Sequence, residues 1–130
     1  MADLSFPADL KYAESDEWIR VEGDTATIGI SDYAQDALND LVYAEFKDVG
    51  EVIAAGGSFG EVESVKAASE VYLPVAGEII EVNDELEGEP EIINEDPYGN
   101  GWMVKIKVTD ASSLDNLMDA EAYKTYCENR

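Results

Sequence analysis

The sequence predicts a mainly β domain with small helices packed on its outside. Three observations predict it. Short β-rich runs recur between turn-forming clusters. One of them, "WMVKIKV", alternates cleanly between apolar and polar residues. The 130 residues hold no long linker, repeat or low-complexity stretch, and that length suits a single domain, 1–130, with its own core.

Taken in order, "EWIRVEGDTATIGI" reads as a hairpin, two β-rich runs around Glu22, Gly23 and Asp24. "SDYAQDALND" reads as a short helix capped by Ser31 or Asp32. Its apolar face is Tyr33 or Ala34, Ala37, Leu38 and Leu41. "LVYAEF" is a strand. Phe59 to Val65 and Ser69 to Val75 are strand-like, with Lys66, Ala67 and Ala68 between them. Two strands so joined make a hairpin whose tip carries Lys66 into solvent. Pro74 turns part of the second strand into an edge or bend. "GEIIEVN" is another short strand. "DELEGEPEIINEDPYGNG" reads as an acidic, loop-rich stretch with a turn at Pro97, Tyr98 and Gly99. In "WMVKIKV", Trp102, Val104, Ile106 and Val108 face one way, and Met103, Lys105 and Lys107 the other. "SSLDNLMDAEAYKTYCENR" reads as two helical pieces. Leu114, Leu117 and Met118 face inward in the first, and Ala122, Tyr123 and Tyr126 in the second, which Asp119 can cap. Trp18 and Trp102 read as core aromatics and Cys127 as a small packed apolar residue.

Composition narrows the function. Eight Lys and Arg against 30 Asp and Glu give a net charge of -22. Such a surface repels nucleic acid and anionic lipid, and attracts basic partners in a salt-sensitive way. There is no histidine, which removes histidine-based triads and imidazole metal sites. No EF-hand or phosphate-loop spacing is present. The one cysteine cannot form an internal disulfide, and no apolar run approaches the roughly 18 residues of a membrane span. The first residues lack the basic start and apolar core of a signal peptide, so a cytoplasmic or organelle-matrix location is expected. Most routes to being an enzyme alone are closed.

One cation stands apart. Between Lys47 and Lys105 the only Lys or Arg is Lys66, and residues 48–104 carry 14 Asp and Glu. A lysine becomes a nucleophile when burial or a nearby cation frees its amine. Lys66 has neither, and its charged neighbours in sequence are the carboxylates Glu61, Glu63 and Glu70. Two readings remain from local features: a solvated surface lysine, or a lysine presented for an enzyme to modify.

The segment "ESVKAASEVYLPVAGEI" resembles the lipoyl-attachment segment of the glycine cleavage system H-protein family. Three further blocks resemble that family in the same order: "KYAESDEWIRVEGDTATIGISDYAQDAL", "NEDPYGNGWMVKIKV" and "DAEAYKTYCE", together spanning roughly residues 10 to 128. The resemblance implies a barrel-sandwich hybrid of antiparallel sheets, the fold of lipoyl and biotinyl carriers, with lipoate in amide linkage on Lys66. It implies that Glu63 and Gly77, three before and eleven after the lysine, help a lipoate-attaching enzyme recognise the turn. By position, Ser15, Glu17 and Glu70 match the cleft residues that shelter the loaded arm. Glu70 stands where Asp is more usual, and Asp16 where histidine is more usual. Val65 and Ala67 differ from the methionines that flank a biotinyl lysine.

The implied role is a carrier, not a catalyst. Its lipoyl disulfide takes an aminomethyl group from a pyridoxal-phosphate glycine decarboxylase and is reduced. An aminomethyltransferase passes the one-carbon unit to tetrahydrofolate, releasing ammonia. A flavin-dependent dihydrolipoyl dehydrogenase then reoxidises the dithiol. A monomer is expected, because an arm that visits several enzymes needs a free tip. Two rival readings are a relay that passes lipoyl groups to other enzymes, and an interaction module in which Lys66 stays bare.

Overall fold

The computed structural model describes residues 4–130. Nine strands form two antiparallel sheets among these residues. The first sheet has six strands in the order β1 (Lys11–Tyr12), β2 (Glu17–Glu22), β3 (Thr25–Ile30), β9 (Val104–Asp110), β8 (Ala76–Val82) and β5 (Val52–Ile53). The second has three, in the order β4 (Leu41–Phe46), β6 (Ser58–Ser64) and β7 (Ala68–Tyr72). The mainly β expectation holds, and so does the short helix after the first hairpin, α1 (Asp32–Leu38), capped by Ser31.

Period-two patterning explains the sandwich. Alternate residues of each sheet, including Ile28, Phe46, Phe59, Val62, Val71, Ile79, Val104 and Ile106, are buried in one shared core. A second cluster lies elsewhere: Leu10, Tyr12, Trp18, Tyr123 and Cys127 pack together, beside the half-buried Tyr33, Tyr98 and Tyr126. Tyr12 and Tyr123 stack at 4.6 Å between ring centroids, which docks α4 (Ala120–Glu128) on β1. Trp18 donates its indole N–H to Pro97 at 3.0 Å. With both faces covered, Glu17, Trp18 and Ile19 are all buried in succession.

Several expectations need correction. The acidic stretch is not all loop: it forms α2 (Glu85–Gly88) and α3 (Ile92–Glu95), each one turn long, and buries Leu86 and Ile93 completely. Those two side chains anchor an otherwise acidic segment on the core. Met103 does not share the lysine face. It precedes β9, where its N–H donates to Ile28 at 2.8 Å, and its side chain is fully buried. Trp102 is only half-buried, with Lys105 over its ring at 5.1 Å. The second strand of the central hairpin ends at Tyr72, just before Pro74. The first C-terminal piece is a 3-10 helix, Ala111–Asn116, that buries no residue fully. In α4 the inward stripe is Tyr123 and Cys127, whereas Ala122 is exposed.

Candidate functional site

Lys66 lies where the hairpin reading puts it. β6 and β7 pair from Glu63 and Ala68 downward, leaving Val65 and Lys66 as the tip. Two-residue hairpin loops ordinarily need φ > 0 at one or both central residues. Neither Val65 nor Lys66 has it; the non-glycine residues that do are Asp16 and Asn39. Ser64 supplies the alternative. Its hydroxyl oxygen accepts from the N–H of Lys66 at 3.2 Å and of Ala67 at 3.1 Å, while its own N–H donates to Ala67 at 2.7 Å. Val65 N–H donates to Asp40 at 3.0 Å, tying the tip to the start of β4. The backbone is thereby fixed and the side chains are free. Val65 is 67% exposed and Lys66 is exposed. No carboxylate pairs with Lys66: the ion pairs among the described residues are Lys105–Glu81 and Arg130–Asp16.

Ser15, Glu17 and Glu70 come together. They line one cleft of about 140 Å³ with Asp16 and Ser69, and its floor and far wall are Ile30, Ala34, Ala37, Leu38, Val62 and Val71. Three elements build it: the turn before β2, the side of β7, and α1. Glu17 is 1% exposed. Its carboxylate accepts from the Ser15 hydroxyl and, at 3.0 Å, from the N–H of Tyr72, so it bridges the two sheets. Burial pushes its pKa up to about 7, against the lowering effect of those hydrogen bonds. Glu70 is exposed at the rim, accepting weakly from the Tyr72 hydroxyl at 3.3 Å. The cleft thus sets Glu17 and Glu70 over an apolar floor, with Asp16 already paired to Arg130, a place suited to a small cation.

Glu63 is half-buried on β6, directly below the tip and opposite Tyr43 of β4. Gly77 lies in the other sheet, on β8, paired with Ile53 and Val108. A Cβ there would meet Ile106 Cδ1 at 2.7 Å and the Lys107 carbonyl at 2.8 Å, so close packing requires its missing side chain. Gly77 belongs to the six-stranded sheet, whereas the turn joins two strands of the three-stranded one.

Sequence reading missed Ser64, whose signal is a hydroxyl residue just before a short turn. It named Ser31 as a helix cap and Tyr123 as inward-facing, but missed their link, and that of Arg130, to Asp16. No local signal links them: Arg130 grips Asp16 across 114 residues, its two terminal guanidinium nitrogens donating at 2.5 and 3.1 Å.

Known proteins extend the geometry. Residues 10–130 match the family model described as glycine cleavage H-protein. The glycine cleavage system H protein of Bacteroides thetaiotaomicron is 54% identical over 121 residues, covering 93% of this chain and 96% of the relative. That of Alcanivorax borkumensis is 54% identical over 123 residues, covering 95% and 96%. A crystal structure of a glycine cleavage system H protein from Mycobacterium marinum superposes with a TM-score of 0.85 at 37% identity, covering 92% of this chain and 97% of that one. A lysine held free on a rigid β-turn beside an acidic cleft, within a sandwich of this topology, agrees with these likenesses: the chain belongs to the glycine cleavage H-protein family.

Proposed function

We propose that this chain, as a single domain with its core at residues 10–128, is the lipoyl carrier of a glycine cleavage system, with lipoate in amide linkage to Lys66. The exposed, unpaired amine and the rigid turn fit such an attachment. When bound, the dithiolane supplies a site that takes up an aminomethyl group and is reduced in doing so. The chain's residues do the rest. Ser64 holds the backbone of the tip still while an attaching enzyme works on the lysine. Glu63 and Gly77 let that enzyme recognise the turn, Glu63 by its carboxylate below the tip and Gly77 through the packing of β8 on Ile106. Glu17 holds a cationic amine away from water, with Ser15 orienting one carboxylate oxygen and Glu70 at the rim. Glu70 lies on β7, four residues after Lys66 and two after the strand begins.

The chain's partners are those of the glycine cleavage system: the pyridoxal-phosphate glycine decarboxylase, the tetrahydrofolate-dependent aminomethyltransferase, the flavin-dependent dihydrolipoyl dehydrogenase and the lipoate-attaching enzyme. A net charge of -22 suits brief docking on basic surfaces, faster at low salt. No described helix is long and apolar enough to cross a membrane. We place the protein in the cytoplasm, as a monomer with its tip unobstructed.

The observation that carries this reading is the pairing of an unengaged Lys66 with a buried carboxylate at Glu17, in a chain of this family. Intact mass and peptide mapping of protein purified from its native cells test it. A lipoyl increment on Lys66 is expected, and a bare lysine in lipoate-replete cells would sink the reading. Reconstituted glycine decarboxylation then separates carrier from relay.

A further inference from the structure

Asp16 adopts φ 81°, the left-handed region that few residues other than glycine, Asn and Asp tolerate. It closes the turn that carries Ser15 and delivers Glu17: Asp16 N–H donates to Ala13 at 2.9 Å, and Ala13 N–H to Glu17 at 2.9 Å. Its carboxylate is held from outside the cleft. Arg130 donates to both oxygens, and the Tyr123 hydroxyl donates to one at 2.8 Å. Arg130 is itself seated between aromatic rings, 4.5 Å from Tyr33 and 4.8 Å from Tyr126. The Tyr123 proton goes to Asp16, so the Ser31 hydroxyl donates to Tyr123, at 2.6 Å. Ser31 in turn accepts the Ala34 N–H at 3.1 Å as the cap of α1. Ser15 to Glu17 and Ala34 to Leu38 are opposite walls of the cleft. Hydrogen bonds from both therefore end on Tyr123 of α4, and the Asp16 side ends also on Arg130, two residues past the helix.

We propose that α4 and Arg130, just beyond its end, brace the cleft, with Arg130 acting through Asp16 and Tyr123 acting through Asp16 and Ser31 as positioning residues that aim the Glu17 carboxylate. Neither touches the cargo. The proposal rests on the reading of the cleft as the shelter for the loaded amine. Bidentate guanidinium contact fixes direction as well as distance, so the brace specifies the turn more tightly than a point charge could.

The test uses Arg130→Gln, Arg130→Lys and Asp16→Asn, with Glu17→Gln as reference. Asn tolerates the left-handed backbone and keeps an acceptor for Tyr123, so Asp16→Asn removes the ion pair without straining the turn. The first readout is the Glu17 titration midpoint, followed by NMR on unmodified protein. Charged neighbours in the cleft are Asp16 on the same turn and Glu70 on β7; α1 contributes only apolar side chains. If Arg130 acted through charge alone, removing it would unmask Asp16 and raise the midpoint. In Arg130→Gln, loss of positioning lets water reach Glu17 and lowers the midpoint instead, by about one unit; in Asp16→Asn the lost charge lowers it too, so that variant is read by lifetime alone. The second readout is the lifetime of the loaded arm, expected to fall roughly threefold to tenfold in Arg130→Gln and Asp16→Asn and to recover in part in Arg130→Lys. A midpoint that rises or stays, with an unchanged lifetime, overturns the brace while Glu17→Gln still shortens the lifetime. If Glu17→Gln itself leaves the lifetime unchanged, the shelter reading fails and the brace falls with it.

Discussion

The Lys66 turn and the Glu17 cleft are opposites in construction. At the turn the Ser64 side chain serves the backbone, and the Lys66 amine forms no ion pair among the described residues. In the cleft the Glu17 carboxylate is 1% exposed and each of its oxygens accepts a hydrogen bond. One region makes a group available to foreign active sites, so it needs rigidity without burial. The other withdraws a charge from water, so it needs burial with compensation. A carrier uses both, because its cargo must be reachable during transfer and sheltered between transfers.

The sharpest way to break the comparison is Lys66→Arg. It keeps the charge and removes the amine that an acyl group can occupy. Complete loss of lipoylation is expected by intact mass, with stability within about 0.5 kcal/mol of the parent, as for an exposed side chain. A large stability loss would show that Lys66 is not free.

Next in size is Glu17→Gln, which separates the carboxylate's service to function from its cost to the fold. Its pKa rises from the 4.5 of a free carboxyl to about 7. Between those values the folded state binds more protons than the unfolded one, so stability falls as pH rises from 4.5 to 7 and is flat above. Gln still accepts from Tyr72 and donates to Ser15, and carries no charge. The variant should match the parent near pH 4 and exceed it by about 3 kcal/mol at pH 8, read from urea melts at both pH values. Its loaded arm should decay faster. An equal pH dependence in both proteins would mean that Glu17 is ionised without cost.

The same contrast explains what was legible in the sequence. The Lys66 hairpin is local: two alternating runs and a short insert specify it, and only the Ser64 hydroxyl escaped notice. The cleft draws on residues 15–17, 30–38, 62 and 69–71, and no window of sequence spans them. Resemblance alone brought Ser15, Glu17 and Glu70 forward. Alternation would misjudge Trp18, because it assumes one wet face and the α4 cluster covers the second face of β2, while Glu17 stands beside Ile19 as a charged residue on the face toward the other sheet. Leu86 and Ile93 were diluted by the acid around them, so one-turn helices read as loop. Arg130 lies too far along the chain for any periodicity to tie it to Asp16.

A smaller effect tests whether Gly77 belongs with either region. In Gly77→Ala the new methyl meets both a side chain and a backbone carbonyl, and only the Ile106 side chain can swing away. Overpacking of this kind costs about 1–3 kcal/mol, measured as a shifted urea midpoint at constant slope. Lipoylation of the folded variant should also slow, since β8 would shift on β9. An unchanged rate per folded molecule would leave Gly77 to packing alone.

The smallest effect is at the turn itself. Ser64→Ala removes the acceptor that two N–H groups share, but those groups lie at the exposed tip, where water replaces the hydroxyl. Stability should fall by only about 0.5–1 kcal/mol. Function should suffer differently from a change in the cleft. A loosened tip presents Lys66 in more orientations, so the attaching enzyme should modify it more slowly at low enzyme concentration and reach the same final extent. Amide exchange at Lys66 and Ala67 should quicken while that at Tyr72 stays as it was. If Tyr72 quickened too, the turn and the cleft would be one mechanical unit, and the division of labour between an open site and a closed one would have to be abandoned.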